Sequence, residues 1–395
     1  MYIVLRRIFD YHERMAIIGI SLQFHDSFDA QVARGIIEYA KRKSEWSLRG
    51  SGGGLRPLKF TGKDRCDAVI ARIETSEDAD RYAALGIPVV DIAGAHTRAN
   101  IHRVHNDDFI TGRRAGEYLR RLGASSFAYC GVQRVHWSRQ RLLGFAEAAG
   151  VAIDSIPRFE RSLTWWQHGG TSSALRTWLR NLPDGTALFS CNDRAGVKAI
   201  AHCLDIGLAV PKQRTLLGVD DEDLLCTLST PSLSSVRLDC ATIGYRAASL
   251  IATMLETAPA WSANHQQTFL VPPQHVVERE STTVILEQDP VVAKAVQFIR
   301  ANFAQPITVE SVVQVCAVSR RTLEVRFKQA RGCTIHTEIA QTRLEHACRL
   351  LGQTDMTMET IAGECAFSNV QRFHILFKRA YGCTPGQWRA SRVRR

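Results

Sequence analysis

The segment Ile307–Ser319, ITVESVVQVCAVS, returns in altered form as MTMETIAGECAFS at Met356–Ser368. The repeat continues downstream, because FKQARGCT at Phe327–Thr334 returns as FKRAYGCT at Phe377–Thr384. An internal repeat is a strong signal of architecture, since each copy is expected to fold into the same supersecondary unit. The sequence therefore predicts two similar units in its C-terminal quarter.

The first half of each copy is typical of a short helix that follows a capping threonine. Thr308 and Thr357 can accept hydrogen bonds from the first backbone amides, and a glutamate follows two residues later, where the helix dipole favours an acid. After a short break, a second helix in the first copy carries Leu323 and Phe327 four residues apart, on one buried face. This layout predicts a helix-turn-helix in each copy.

The opposite face of each second helix carries side chains that can bind nucleic acid. In the major groove arginine suits guanine, asparagine and glutamine suit adenine, and glutamate accepts from cytosine. We predict base contacts from Arg320, Arg321, Glu324, Asn369, Gln371, Arg372 and His374. Phosphate contacts, which add affinity but no sequence information, are predicted for Lys328 and Lys378. A long helix predicted from about His336 to Leu351 would let the two units enter successive major grooves of operator DNA.

The charge of the chain favours the same partner. Its 395 residues carry a net charge of +11, and the sequence ends with Arg389, Arg392, Arg394 and Arg395. For a single unit of this kind a packing role is an equal alternative, but repetition with a basic face favours DNA binding. The N-terminus lacks the apolar run of a signal peptide, and no stretch has the length of a membrane span. We therefore expect a cytoplasmic protein without a membrane partner.

The cysteines and histidines do not form the patterns of a metal site. None of the eleven cysteines belongs to a C-x-x-C pair, which favours reduced, partly buried thiols over disulfides or zinc. The loop histidines, whose spacing is irregular, are expected to be exposed to solvent; they are His96, His102 and His105. We predict no metal and no cofactor.

Upstream of the repeats, short apolar runs alternate with helical periodicity, which is a βαβ pattern. The predicted strands, with helices between them, are Met15–Ile20, Cys66–Ala71, Ile87–Ile92, Ser126–Gly131, Ala187–Ser190 and Leu216–Val219. The first half closes near Asn106, so we predict an α/β domain of two lobes, followed by an all-α domain with two helix-turn-helix units. The predicted boundaries are a leader at 1–14, the two-lobe domain at 15–277, a linker at 278–290 and the DNA-binding domain at 291–395.

The C-terminal segment resembles the AraC type of bacterial transcription regulators. The resemblance covers about residues 291–392 and is most specific where the second unit ends in GCTPGQWR, Gly382–Arg389. The second helix of each unit is the one that reads the DNA bases in this type, and we call it the reading helix. Members usually carry a polar or basic residue two positions after the first buried residue of this helix. This chain instead carries Val325 and Ile375 there.

The N-terminal part resembles the periplasmic-binding-protein-like sensor of the LacI type. The segments that carry the resemblance include RLLGF at Arg141–Phe145, SCND at Ser190–Asp193 and GVDD at Gly218–Asp221. The resemblance implies that the arginine of the first segment reaches a sugar hydroxyl and that the second supplies an amide and a carboxylate. In open α/β sheets ligands lie beyond the carboxyl ends of the strands, where these residues fall.

Arginine, aspartate and asparagine in one cleft suit a neutral polyol, because each hydroxyl both donates and accepts. Trp137 or Phe24 could stack on the apolar face of the sugar. The alternatives are a helix-capping role for Asp193 or Asp220 and an exposed surface position for Arg141. The predicted ligand-binding residues are Phe24, Asp107, Trp137, Arg141, Asn192, Asp193 and Asp220.

The order of the two parts is similar to that of bacterial regulators of pentose operons. The resemblance implies a transcription activator with D-xylose as effector and operator DNA as partner. We also expect a homodimer, and RNA polymerase as a partner if the protein activates. Alternatives are a repressor, a regulator of another pentose or ligand, and an architectural DNA binder. An enzyme using Asp220 and His202 is not expected, because no nucleophile elbow, phosphate loop or metal-spaced cluster supports one.

Overall fold

The computed structural model describes residues 15–24, 27–51, 55, 57–95, 101–256, 266–283 and 289–393. The predicted leader, His96 and residues 284–288 of the predicted linker lie outside these ranges. The strands are β1 Ala16–Ser21, β2 Trp46–Ser51, β3 Ala68–Ala71, β4 Val89–Asp91, β5 His102–Asn106, β6 Phe127–Val132, β7 Arg158–Arg161, β8 Thr186–Ser190, β9 Arg214–Asp220, β10 Ser234–Arg237, β11 Thr268–Val271 and β12 Val276–Val277.

The helices alternate with these strands and then continue alone to the C-terminal end of the described chain. They are α1 Ser27–Ala40, α2 Ser76–Ala83, α3 Asp108–Arg121, α4 His136–Ala149, α5 Leu163–His168, α6 Ser173–Asn181, α7 Asp193–Asp205, α8 Asp223–Leu228, α9 Cys240–Glu256, α10 Pro290–Asn302, α11 Val309–Cys316, α12 Arg320–Arg331, α13 Ile335–Gln353, α14 Met358–Glu364, α15 Val370–Tyr381 and α16 Pro385–Val393. None of the described helices combines the length and apolar character that crossing a membrane requires.

The strands form two six-stranded sheets in the described part of the chain. The first has the order β11-β5-β4-β3-β1-β2 and the second β12-β10-β9-β8-β6-β7. Neighbouring strands are parallel, except that β12 pairs antiparallel with β10. Central strands such as β3 and β8 are mostly apolar and fully buried, as expected for a parallel sheet covered by helices on both faces. The chain passes between the lobes after β5, before α9 and between β11 and β12, so the predicted two-lobe fold is confirmed.

Close packing of α3 against α4 depends on two glycines. A Cβ atom at Gly112 would lie 1.9 Å from the carbonyl oxygen of Arg141, and one at Gly144 would lie 1.9 Å from that of Phe109. Any larger residue at either position would push the helices apart. These glycines therefore fix where α4 presents Arg141.

The C-terminal domain contains the two predicted helix-turn-helix units, α11 with α12 and α14 with α15. Thr308 and Thr357 cap the first helix of each unit, as predicted. Ala317 and Ala366 adopt left-handed conformations, with φ of 55° and 51°, that end these helices. The turn in the second unit is one residue longer, so Asn369 caps the reading helix there, in the place that Ser319 occupies in the first unit.

In the described part of this domain, each unit has its own apolar core. The first contains Val296, Ile299, Val312, Leu323, Phe327 and Ile339, and the second contains Leu344, Leu351, Ile361, Phe373, Phe377 and Trp388. Helix α13 contributes to both cores, because its N-terminal half packs in the first and its C-terminal half in the second. The predicted long helix between the units is thus confirmed, and it joins two separately packed bodies.

The segment 278–283, which we predicted to belong to the linker, packs on the C-terminal lobe. Ser281 and Thr282 are fully buried. Ser281 donates to the Leu216 carbonyl at 2.7 Å and accepts from the Ser234 amide at 2.9 Å. At the other end Asp289, also predicted as linker, caps α10 and binds Arg326 with both carboxylate oxygens at 2.6 Å. Both ends of the predicted linker therefore belong to the domains beside it.

Candidate ligand cleft and nucleic-acid interface

A small cleft of about 70 Å³ lies between the two lobes, at the carboxyl ends of the strands. Both lobes contribute polar and aromatic side chains to it. Its walls are Ser27, Phe28, Arg72, Glu74, Ile92, Ala93, Asn106, Asp108, Trp137, Arg141, Leu163, Asn192, Arg194, Asp220 and Glu222. Four of the seven predicted ligand-binding residues are in this set, namely Trp137, Arg141, Asn192 and Asp220.

Arg141 is the centre of the cleft's hydrogen-bond network. Its Nε donates to Asp108 Oδ1 at 2.8 Å, its Nη1 donates to the Cys191 carbonyl and lies 3.7 Å from Asp220 Oδ1, and its guanidinium lies 4.9 Å from the Trp137 ring centre. Burial alone would lower the pKa of Arg141, but Asp108 and Asp220 outweigh this effect and raise the pKa above its usual value. The guanidinium is therefore a permanent cation held in one orientation, and it is not an exposed surface residue.

Asp220 ends β9 in a strained backbone conformation. Its φ is 106° and that of Asp221 is 52°, values that non-glycine residues rarely adopt. The Asp221 carboxylate is held by Arg237 and by Arg279, the latter at 2.7 Å, whereas the Asp220 side chain is 29% exposed and lines the cleft. The turn thus places the Asp221 carboxylate in buried ion pairs and directs the Asp220 side chain toward the cleft.

Three predicted ligand residues do not line the cleft. Asp107 accepts from the Ile110 amide as the cap of α3, and the neighbouring Asp108 takes the cleft position. Asp193 is 1% exposed and binds the Ser235 hydroxyl at 2.6 Å and the Glu222 amide at 2.8 Å, so it supports the turn after β9. Burial and the nearby Asp220 raise the pKa of Asp193 well above its usual value. Phe24 packs beside the core, outside the walls of the cleft.

The sequence prediction missed several cleft residues, of which Asn106 is the most informative. Its Nδ2 donates to Asp108 Oδ1 and to Thr111 Oγ1, both at 2.8 Å. Because Nδ2 faces these two partners, Oδ1 lies on the opposite side of the amide group. Oδ1 is buried there and accepts no hydrogen bond from any described residue. Arg72, which directly follows β3 and binds Asp29 and Glu74, was also missed. The signal that could have found Asn106 and Arg72 is their place at the carboxyl end of a parallel strand.

The reading helices α12 and α15 expose most of the residues predicted to contact DNA. Arg321, Lys328, Gln371, Arg372 and Lys378 are exposed. The other four have partners or partial burial: Arg320 binds Glu324 at 2.9 Å and Glu310 at 3.4 Å, Asn369 Oδ1 caps α15, and His374 is half-buried beside Phe373. Arg320 and Glu324 thus neutralise each other, which leaves Arg321 as the free cation of the predicted base-reading set on α12.

Comparisons with known proteins match both halves of this arrangement. A periplasmic binding protein-like domain model matches residues 117–282, and a helix-turn-helix domain model matches residues 312–391. The chain is 29% identical over 388 residues to the xylose operon regulatory protein of Escherichia coli strain K12, covering 94% of this chain and 96% of that protein. The chain thus has a periplasmic-binding-protein-like domain followed by a helix-turn-helix domain, and it is similar to a regulatory protein of the xylose operon over nearly its whole length.

Two further relatives match the chain over nearly its whole length. The xylose operon regulatory protein of Haemophilus influenzae is 28% identical over 384 residues, which cover 94% of this chain and 97% of that protein. The solved structure of a xylose-binding transcription activator, XylR, aligns with a TM-score of 0.57 at 28% identity, over 95% of this chain and 97% of that chain. The predicted fold class, and the predicted fusion of the two types, are confirmed.

A larger cavity of about 860 Å³ lies between the two-lobe domain and the helix-turn-helix domain. Charged side chains on its walls form ion pairs with one another. Arg121 binds Glu345 at 2.6 Å, and the fully buried Arg331 binds Glu338 at 2.6 Å. These ion pairs leave Nε and Nη1 of Arg331 buried without a hydrogen-bond partner among the described residues. The larger cavity marks the contact between α3 of the sensor and α13 of the DNA-binding domain.

Proposed function

We propose that this protein is an AraC-type transcription regulator, that it binds D-xylose in the cleft between its lobes and that the sugar switches its binding to operator DNA. The observation that carries the proposal is the buried Asn106 Oδ1, which accepts no hydrogen bond from the described residues. Such an atom costs about 1–3 kcal/mol unless a partner satisfies it. A sugar hydroxyl is a partner of the right kind in this place.

The remaining groups of the cleft suit a pentose. Arg141 and the Asn192 amide supply donors, Asp220 and Glu222 supply carboxylate acceptors, and Trp137 supplies an aromatic face. A sugar hydroxyl both donates and accepts, so a mixed set of this kind can satisfy it. The name of the solved relative, a xylose-binding transcription activator, supports D-xylose as the effector and activation as the outcome.

Helix α3 offers a direct route from the cleft to the DNA-binding domain. Asp108 in its first turn binds Arg141 of the cleft, and Arg121 in its last turn binds Glu345 of α13. Tyr118, between them, hydrogen-bonds Thr282 at 2.8 Å, in the segment that leads to the DNA-binding domain. A sugar that alters the position of α3 therefore alters the contact with α13. Thermodynamic linkage then requires operator DNA to raise sugar affinity by the same factor.

The test is an operator titration at fixed salt, with and without D-xylose, together with calorimetry of sugar binding. We expect D-xylose to bind, and to bind more tightly when the operator is present. The matched control is a panel of other pentoses on the same preparation. Tighter binding of a different pentose would reassign the effector, and no effect of any sugar on DNA binding would contradict the proposal. Turnover of a bound sugar would favour an enzyme instead.

The proposal also covers the effect on transcription and the oligomeric state. An activator would raise transcription by RNA polymerase in a purified system only when sugar is present, whereas a repressor would lower it. We also propose that the regulator acts as a homodimer, which sedimentation at several protein concentrations tests directly.

A further inference from the structure

Each reading helix presents one large apolar side chain to solvent. Val325 on α12 is 49% exposed, and Ile375 on α15 is 63% exposed. Single exposed apolar residues are ordinary on protein surfaces and need no explanation. These two are different because they occupy the same position in the two repeats, two residues after the buried Leu323 and Phe373.

The position is the middle of the exposed face. Leu323 and Phe327 are fully buried and lie four residues apart, so a residue midway between them lies on the opposite side of a helix with about 3.6 residues per turn. Arg321, four residues before Val325, lies on the same face. In the second unit Gln371 stands in the same relation to Ile375. The apolar residues are therefore at the centre of the two surfaces that face the bases.

The chemistry of the major groove offers one apolar group, the 5-methyl of thymine. Valine and isoleucine side chains cannot satisfy the donors and acceptors of the other base edges, and they gain nothing from a phosphate. We propose that Val325 and Ile375 read thymine through its 5-methyl group. The operator would then carry a thymine at the equivalent place in each half-site, about one helical turn or 10 base pairs apart. The inference rests on the proposed function, in which both units bind one operator.

The surroundings favour DNA over a protein partner. Ile375 is flanked on the exposed face by Lys378 and Arg379, and Val325 by Arg321 and Lys328, so each apolar side chain has cations beside it. A protein-binding patch would be contiguous and apolar at its centre. The two residues also belong to separately packed units, at opposite ends of α13.

The experiment replaces thymine by deoxyuridine, which removes the methyl group and keeps every hydrogen bond. The wild-type regulator first selects a duplex from a random pool with D-xylose present. Each thymine of that duplex is then replaced singly, and Kd is measured at fixed salt. We expect two sensitive positions, each weakened about fourfold, which is the factor for about 0.8 kcal/mol per buried carbon group.

Two matched variants assign each position to its helix. Val325→Ser should abolish the sensitivity at one position and keep it at the other, and Ile375→Ser should do the reverse. Both sites are exposed, so the thermal unfolding of the variants should match that of the wild type. Lys378→Ala, the control for a phosphate contact, should weaken thymine and deoxyuridine duplexes by the same factor.

The outcomes separate this inference from the proposed function. If the regulator selects no duplex at all, the proposed function itself fails before any base is replaced. If a duplex is selected but no thymine in it is sensitive, or both sensitivities survive in the two variants, the thymine assignment is wrong. An exposed pair that has no role on DNA would then be a surface for a protein partner.

Discussion

Arg141→Ala should destabilise the sensor domain as well as weaken sugar binding. The Arg141 and Asp108 side chains are 7% and 4% exposed and meet at 2.8 Å, so the alanine variant leaves a buried carboxylate without its cation. Removing one partner of such a pair costs about 3–5 kcal/mol. We therefore expect a loss of about 3 kcal/mol or more in the free energy of unfolding.

A paired substitution separates the buried charge from the packing. Arg141→Met with Asp108→Asn removes both charges of this pair from the cleft, and the amide oxygen introduced at position 108 can still accept from Asn106. The double variant should therefore be more stable than Arg141→Ala and should show a coupling energy of about 2 kcal/mol against the single variants Arg141→Met and Asp108→Asn.

Urea unfolding followed by tryptophan fluorescence is the measurement. Six of the seven tryptophans precede residue 284, so the signal reports chiefly on the sensor. If Arg141→Ala unfolds at the same urea concentration as the wild type, the pair is not buried in solution. Additive losses in the single and double variants would show that the two side chains do not interact. Either result would refute the description of Arg141 as the centre of the cleft's network.

The remaining predictions address the cleft turn, its pH dependence and the independence of the DNA-binding domain. Asp220→Asn should lower D-xylose affinity by about 1–2 kcal/mol in calorimetry while DNA binding without sugar stays at the wild-type value, and unchanged sugar affinity would place the cleft elsewhere. The pKa of Asp193 is raised on folding, so this residue stabilises the fold below its unfolded pKa, and that contribution is lost as pH rises through the folded pKa. The stability of Asp193→Asn relative to the wild type should therefore rise as the pH increases from 4 to neutral in urea titrations, and a constant difference would contradict this reasoning. The fragment 289–395 should fold by circular dichroism and bind the operator without sugar, and a folded fragment that ignores the operator would show that the sensor is needed.

The parts of the fold that the sequence predicted are those with strong local patterns. Buried strands such as β1 and β9 are short apolar runs, and the capping threonines of the repeats mark their own helices. Edge strands were missed because they lack that pattern, and so was β5, HRVHN, inside the first sheet; His102 and His105 are buried in this strand, so their predicted exposure was wrong. Strand β2, WSLRGS, is half-polar, and β11 lies at the other edge of the same sheet with its first three residues exposed.

The cleft was predicted less completely, since its contacts depend on the rotation of each helix. Asp107 and Asp108 are neighbours of the same type, and only the start of α3 decides which caps the helix and which reaches Arg141. Asn106 Oδ1 is left without a hydrogen-bond donor because the amide nitrogen of Asn106 donates to Asp108 and Thr111, and these contacts also depend on the position of α3. No sequence pattern encodes either choice, because both arise from packing between elements that are distant in the chain.

The separate cores of the two helix-turn-helix units have a consequence for how such a regulator can change over generations. Helix α13, about 28 Å long at 1.5 Å per residue, keeps the reading helices at a fixed spacing while each unit packs around its own side chains. A substitution that retunes one unit does not disturb the packing of the other. One half of an operator can therefore drift and be matched by its own unit, while the other half preserves recognition of the gene.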